Sequence, residues 1–134
     1  MRASVTRIEE LRNSVTIRSH GLTIDEAEDE GGADAGPNPL ELLAGSLAGC
    51  VAITMEMYAR RKGWEIGAVG VDVDFAPAER GTPTRFEIVL RLPEDLTEEQ
   101  AERLTVIAAK CPVHRVLDGE VMFDERVERT ALAG

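Results

Sequence analysis

Between Asn38 and Lys62 the chain carries one long run of helix-compatible apolar sequence, and no other feature limits the fold as much. Asn38 suits a capping position, and Pro39 suits the first helical position, where its missing N–H leaves nothing unpaired. Glu41 stands where its carboxylate reaches back to the capping residue's amide. Leu40, Leu43, Leu47, Val51 and Met55 recur at helical spacing, Ala44, Ala48 and Ala52 widen the stripe, and Lys62-Gly63 is the first stop signal. About 24 residues at ~1.5 Å each make a helix of roughly 36 Å. In a chain of 134 residues such a helix is hard to cover alone, so the sequence points to a second subunit. Its apolar, small-residue middle predicts burial on most sides.

Strand patterns flank that helix. Ser4–Ile8 and Ser14–Arg18 alternate, and Ser19-His20-Gly21 forms a turn into Leu22-Thr23-Ile24, which predicts an antiparallel N-terminal meander. After the helix, Val69, Val71, Val73 and Phe75 alternate with polar or small residues. Phe86, Ile88, Leu90 and Leu92 do the same, giving two strands with one wet face each. Thr97 with Gln100 caps a second helix that turns Leu104, Ile107 and Ala108 inward. Cys111-Pro112 breaks it and opens a short third helix ending at Gly119, and Val121–Asp124 reads as a last strand. Strands, a helix, strands and helices again make an α+β domain spanning 1–134, without the regular alternation of a doubly wound sheet.

Residues 25–37 hold six acidic residues, three glycines and a proline with no periodicity, which predicts a mobile, solvated loop. It is not a calcium loop, because Glu30 stands where glycine is needed and Gly36 where a bidentate glutamate is needed. With 25 Asp+Glu against 15 Lys+Arg the chain runs at a formal charge of -10. That field repels phosphate backbones and anionic lipid, which argues against nucleic acid and membrane surfaces as partners. The N-terminus has no apolar signal region and no stretch approaches the ~18 apolar residues of a membrane span, so a soluble cytoplasmic protein is expected.

Two cysteines, Cys50 and Cys111, are too few for a cysteine-rich zinc site, and in a chain of intracellular character paired thiols are more often catalytic than structural. A thiol attacks only as thiolate, and an unperturbed one near pKa ~8.5 supplies a few per cent at pH 7. Cys111 stands at the start of the short helix, where free N–H groups favour negative charge. Cys50, within the long helix, is either a small buried hydrophobe or a thiol activated by a cation from elsewhere in the fold. His114 is a base or half of a metal site, His20 a turn residue, and Tyr58 and Trp64 either core residues or the lining of an apolar pocket. With no second Cys/His pair of metal spacing, no metal is expected.

The run from Asn38-Pro39-Leu40-Glu41 to Leu47-Ala48-Gly49-Cys50, followed by Lys110-Cys111-Pro112-Val113-His114-Arg115-Val116-Leu117, resembles the osmotically inducible protein C (OsmC) and organic hydroperoxide resistance (Ohr) superfamily over essentially the whole chain. The resemblance implies an OsmC-like α+β fold with antiparallel sheets packed around a long central helix in an intertwined homodimer. It implies a thiol peroxidase in which Cys50 attacks an organic hydroperoxide, Cys111 resolves the product to a disulfide, and a dithiol reductant, such as a lipoyl-type one, restores both thiols. No cofactor is implied. The resemblance also calls for a guanidinium and a carboxylate beside Cys50. Arg12 is the first candidate for the cation and Arg18 the second, with a solvated strand residue as the plain reading of either; Glu41 is the candidate carboxylate. Peroxidase members place the acid directly after Asn-Pro, where this chain has Leu40, and one residue turns a helix by ~100°. The other reading, from that departure, is an OsmC-like protein that binds a small molecule or senses oxidation, with weak or no turnover.

Overall fold

In the computed structural model, which describes residues 1–131, three antiparallel strands come first. They are β1 (Ala3–Glu9), β2 (Arg12–Ile17) and β3 (His20–Ile24), side by side in that order as the meander requires. The register sets Val5 opposite Val15 and Val15 opposite Leu22, so an apolar row crosses the sheet, where facing side chains stabilise the pairing. Arg18 sits in the connecting turn at φ 55, a left-handed conformation unusual for a non-glycine residue.

The segment after β3 is folded on Asp25, which corrects the expectation of a mobile loop. Asp25 is only 3% exposed. Its carboxylate accepts N–H groups from Glu26 at 2.8 Å, Ala33 at 3.2 Å and Ala35 at 3.1 Å, and its own amide donates to the Pro37 carbonyl at 3.2 Å. The chain passes so close to this carboxylate that a Cβ at Gly32 would strike the Glu26 carbonyl, and one at Gly36 the Thr23 carbonyl. An acidic run reads as solvated by composition, but one short carboxylate can satisfy amides that no sheet ladder takes up.

The Ala35 amide, then that of Glu26, pulls the Asp25 carboxyl below its ordinary value of 3.8, against the opposing effect of burial. Because the folded value is the lower one, the stabilisation is complete above pH 3.8 and is lost as pH falls through the folded value. Acidification below that point is expected to release the Ala33 and Ala35 amides to hydrogen exchange. Asp25→Asn should expose them at neutral pH already; protection unchanged in both cases would contradict the role of the carboxylate.

The chain forms two compact units, Met1–Leu42 with the segment beginning at Asp124, and Leu43–Phe123. The long helix α1 (Pro39–Arg61, 23 residues) begins in the first and runs on through the second. It starts as expected, with the Asn38 amide donating to Glu41 Oε1 at 2.9 Å and the Glu41 amide to Asn38 Oδ1 at 2.8 Å. Leu47, Val51, Met55, Tyr58 and Ala59 are its buried face, but Ile53 and Met57 on the other side are 58% and 55% exposed. Within one chain the helix is therefore buried on one side, not on most. By length and composition α1 is also long and apolar enough to cross a membrane, with 28% of its most apolar window buried, which corrects the reading that no stretch approaches that length. Its Gly, Ser and Thr residues interrupt an apolar count without adding the charge that would lower the mean hydropathy.

In the second unit β4 (Gly70–Ala76) pairs antiparallel with β5 (Arg85–Arg91), and Val71, Val73, Ile88 and Leu90 turn toward the core. The helix α2 (Glu98–Ala108) has the reciprocal Thr97–Gln100 cap and buries Leu104 and Ala108. The helix α3 (Pro112–Asp118) begins at Cys111 as its capping residue. Tyr58 is core, with Trp64 edge-on to it at 5.6 Å and its hydroxyl accepting from Arg103 Nε at 2.9 Å, while the half-buried Trp64 also lines a surface cleft with Glu56 and Arg60. The expected last strand does not form. Val121–Asp124 is irregular, with Met122 87% and Phe123 81% exposed. An apolar composition makes a segment able to pair, but a strand exists only where a neighbouring ladder takes up its amides and carbonyls.

Candidate active site

Both cysteines lie in the second unit and meet the same short stretch of backbone. Pro112 takes the first helical position of α3 and has no N–H to offer, so the next two amides are the free donors of the helix start. Each goes to a different sulfur. The Val113 amide donates to Cys50 Sγ at 3.4 Å, and the His114 amide donates to Cys111 Sγ at 3.3 Å. Cys50 reaches this point from the middle of α1, where Leu47 and Val51 anchor the helix in the core on either side of it. No disulfide joins the two sulfurs in this structure.

Their surroundings differ. Cys50 is half-buried, whereas Cys111 is sealed in the core cluster at 0% exposure. Burial pushes the Cys111 thiol above its ordinary value, the Cys50 thiol beside it pushes the same way, and the His114 and Val113 amides only partly offset this. The expectation that the helix start favours a Cys111 thiolate is thereby corrected. An N–H group and a short helix offer a fraction of a charge, and removing water from a thiolate costs more.

Arg12, Arg18 and Glu41, the residues expected beside Cys50, belong to the first unit. The Arg12 guanidinium, on β2, donates to Glu9 Oε2 at 3.4 Å in an exposed pair of the kind that contributes little. The Glu41 carboxylate is taken up by the Asn38 amide at the start of α1. His20 begins β3 opposite Ile17, and His114 lines a cleft with Val51, Ile88 and Leu90. Among the described residues no three His, Cys, Asp or Glu side chains gather as a metal site would need. The donor of Val113 is a functional group that residue-type reasoning passes over, because any residue supplies it; Pro112 directly after a cysteine was its only trace in the sequence.

The model of the OsmC-like protein family matches residues 31–126, which includes both cysteines and the whole of α1, α2 and α3. The chain belongs to that family. No curated protein matches the OsmC-like chain by sequence. Among solved structures it is similar to a Psychrobacter arcticus protein named for osmotic stress induction and a detoxification response, at 24% identity and TM-score 0.74, covering 85% of each chain. An OsmC-like protein from Mycoplasma pneumoniae is 18% identical, with TM-score 0.73, over 88% of this chain and 86% of that one. The organic hydroperoxide resistance protein OsmC of Legionella pneumophila is 19% identical, with TM-score 0.64, over 88% of both chains. These likenesses establish the OsmC-like α+β fold, and the chemistry has to be argued from the sulfurs.

Proposed function

We propose that this OsmC-like chain is a thiol peroxidase that reduces organic hydroperoxides to alcohols, a reaction that serves defence against oxidative stress. What supports the reading is that the Cys50 and Cys111 sulfurs accept from the consecutive amides of Val113 and His114. The names of similar structures, the Legionella hydroperoxide resistance protein among them, point the same way. In the first step the Cys50 thiolate attacks the outer oxygen of the hydroperoxide; the O–O bond breaks, the alkoxide leaves and takes a proton, and Cys50 becomes a sulfenic acid. The Cys111 thiolate then attacks that sulfur, displacing hydroxide, which leaves as water, and a disulfide forms. An external dithiol gives up two electrons and two protons to restore both thiols and becomes a disulfide itself.

The half-buried thiol is the one a peroxide can reach, and the sealed one is kept for the internal step. Arg12 is proposed as the cation for Cys50 and Glu41 as its carboxylate, on family resemblance alone. A homodimer is proposed because Ile53 and Met57 on α1 and Met122 and Phe123 beyond α3 stand exposed in the single chain. The cytoplasm, where dithiol reductants are kept reduced, is the proposed setting. The test is consumption of tert-butyl hydroperoxide with dithiothreitol as reductant. Cys50→Ser is expected to lose at least about a thousandfold in rate, as expected for removing a nucleophile. Equal rates in the two proteins would overturn the proposal.

A second reading is favoured by Glu41, whose carboxylate is engaged in the cap of α1 and sits one residue later than peroxidase members place the acid. On that reading the chain senses oxidation or binds a small molecule, and hydroperoxide uptake stops near one equivalent per chain although dithiol is present.

A further inference from the structure

Helix α3 is seven residues long and buries none of them; only Val113 and His114 reach half-burial. Packing therefore contributes little to it, and its order rests on how its ends are fastened. At the C-terminal end the Gly119 amide donates to the Val116 carbonyl at 3.4 Å, a loose closure. The N-terminal end is fastened by the two cysteines. Pro112 has no N–H, the Val113 amide donates to Cys50 Sγ at 3.4 Å and the His114 amide to Cys111 Sγ at 3.3 Å, and the helical ladder begins only with the Arg115 amide on the Cys111 carbonyl at 3.1 Å. The two cysteines differ in how far they can shift. Cys50 is fixed within the 23-residue α1, close to Leu47 and Val51, which are 1% and 0% exposed. Cys111 stands in the non-helical joint between α2 and α3, with extended backbone at φ -66 and ψ 148 and with exposed Lys110 and Pro112 on either side.

We propose that α3 is a latch operated by the oxidation state of the thiol pair: joining Cys50 to Cys111 takes the Cys111 sulfur away from the His114 amide and opens the first turn of α3. As the S–S bond forms, each thiol gives up its proton and the pair gives two electrons to the oxidant, a hydroperoxide in the proposed cycle. The bond draws the sulfurs to about 2 Å, well inside their contact distance. Because α1 holds Cys50 in place, the shift falls on Cys111, and its sulfur and carbonyl move off the two amides they cap. The chain without the disulfide keeps Cys111 sealed, and the oxidised chain, with the first turn open, uncovers the disulfide to an external dithiol. That last role rests on the peroxidase reading above, but the latch does not, because any two-electron oxidant of the pair forms the same bond.

The test is amide hydrogen exchange, read by NMR on the full chain, either kept reduced or treated with diamide, an azo oxidant that takes up the two electrons and two protons at its N=N bond. In the disulfide form the His114 and Arg115 amides are expected to exchange about fivefold or more faster, the effect of losing an ordinary helix cap, while the Leu104 and Ala108 amides of α2 keep their protection. Cys50→Ser keeps an acceptor for the Val113 amide and cannot form the bond, so diamide should change nothing in it. Equal protection of α3 in the two forms, loosening of α2 by the same factor, the same acceleration in Cys50→Ser, or two thiols still free after diamide would overturn the proposal. A chain whose α3 opens under diamide but which consumes no hydroperoxide would keep the latch and sink the peroxidase reading. Hydroperoxide turnover with α3 still protected in the disulfide form would do the reverse.

Discussion

Replacing Cys111 by serine is expected to stop turnover while leaving the first oxidation intact. Serine is a good helix-capping residue, so the start of α3 keeps an acceptor for the His114 amide and the substitution isolates the chemistry. Without the second thiol, Cys50 sulfenic acid has no internal partner. Cys111→Ser should consume one equivalent of hydroperoxide per chain at close to the wild-type initial rate and then slow by about a hundredfold or more, because the external dithiol must reach a half-buried sulfur. Mass spectrometry should find the chain one oxygen atom heavier. On the proposed peroxidase cycle, the resolving step in the wild type should carry its own pH signature. Burial raises the Cys111 thiol above its ordinary value, so its thiolate is scarce at neutral pH and grows about tenfold per pH unit up to that raised value. Disulfide formation after a single pulse of peroxide should accelerate with rising pH accordingly. Undiminished turnover in Cys111→Ser, or a resolving rate that is flat with pH, would remove Cys111 from the cycle.

The largest effect on stability is expected at Leu104, which is 0% exposed and packs in the core cluster with Leu47, Val51, Met55, Ala108 and Cys111. Leu104→Ala removes a branched side chain from the place where α1 and α2 meet within the second unit, and the aliphatic neighbours on both sides are held by their own helices. Partial collapse leaves a cavity, and losses of this kind run from about 2 to 5 kcal/mol. That is a large share of the roughly 5 to 15 kcal/mol that holds a domain of ordinary size together, and corresponds to a fall in Tm on the order of 10 °C. The neighbouring exposed position serves as a control, since Glu102→Ala should move stability by less than about half a kcal/mol. A loss below about 1 kcal/mol for Leu104→Ala in denaturant unfolding would mean that the core is not packed as described.

Much of this fold was legible in the one-dimensional pattern, for a reason visible at each helix start. Asn38 with Glu41, Thr97 with Gln100, and Cys111 before Pro112 are arrangements whose partners lie three residues apart or closer, and each formed as read. The alternation of Val71, Val73 and Phe75 against Phe86, Ile88 and Leu90 likewise became a register of facing pairs. Val121–Asp124 is an apolar run that reads as a strand and has no ladder, because pairing needs a second strand that the run itself cannot supply. Asp25 was hidden in the opposite way. Its type and its acidic neighbours resemble a wet loop, while its function as acceptor for Ala33 and Ala35 depends on the chain turning back on it.

The candidate site divides along the same line. Sequence alone marked the candidate residues: two thiols, one within a long helix and one at a helix start, inside motifs that mark the OsmC-like family. Tertiary structure decided how they differ. The Cys50 sulfur meets the Val113 amide across 63 positions of chain, and the core closes over Cys111 with residues drawn from α1 and α2. A capping position by itself argues for a reactive Cys111, and a place on an apolar stripe argues for an inert Cys50. Packing reverses that order for Cys111, because the cost of stripping water from a sulfur is set by every neighbour in space, whereas a helix start acts only through the one or two amides it presents.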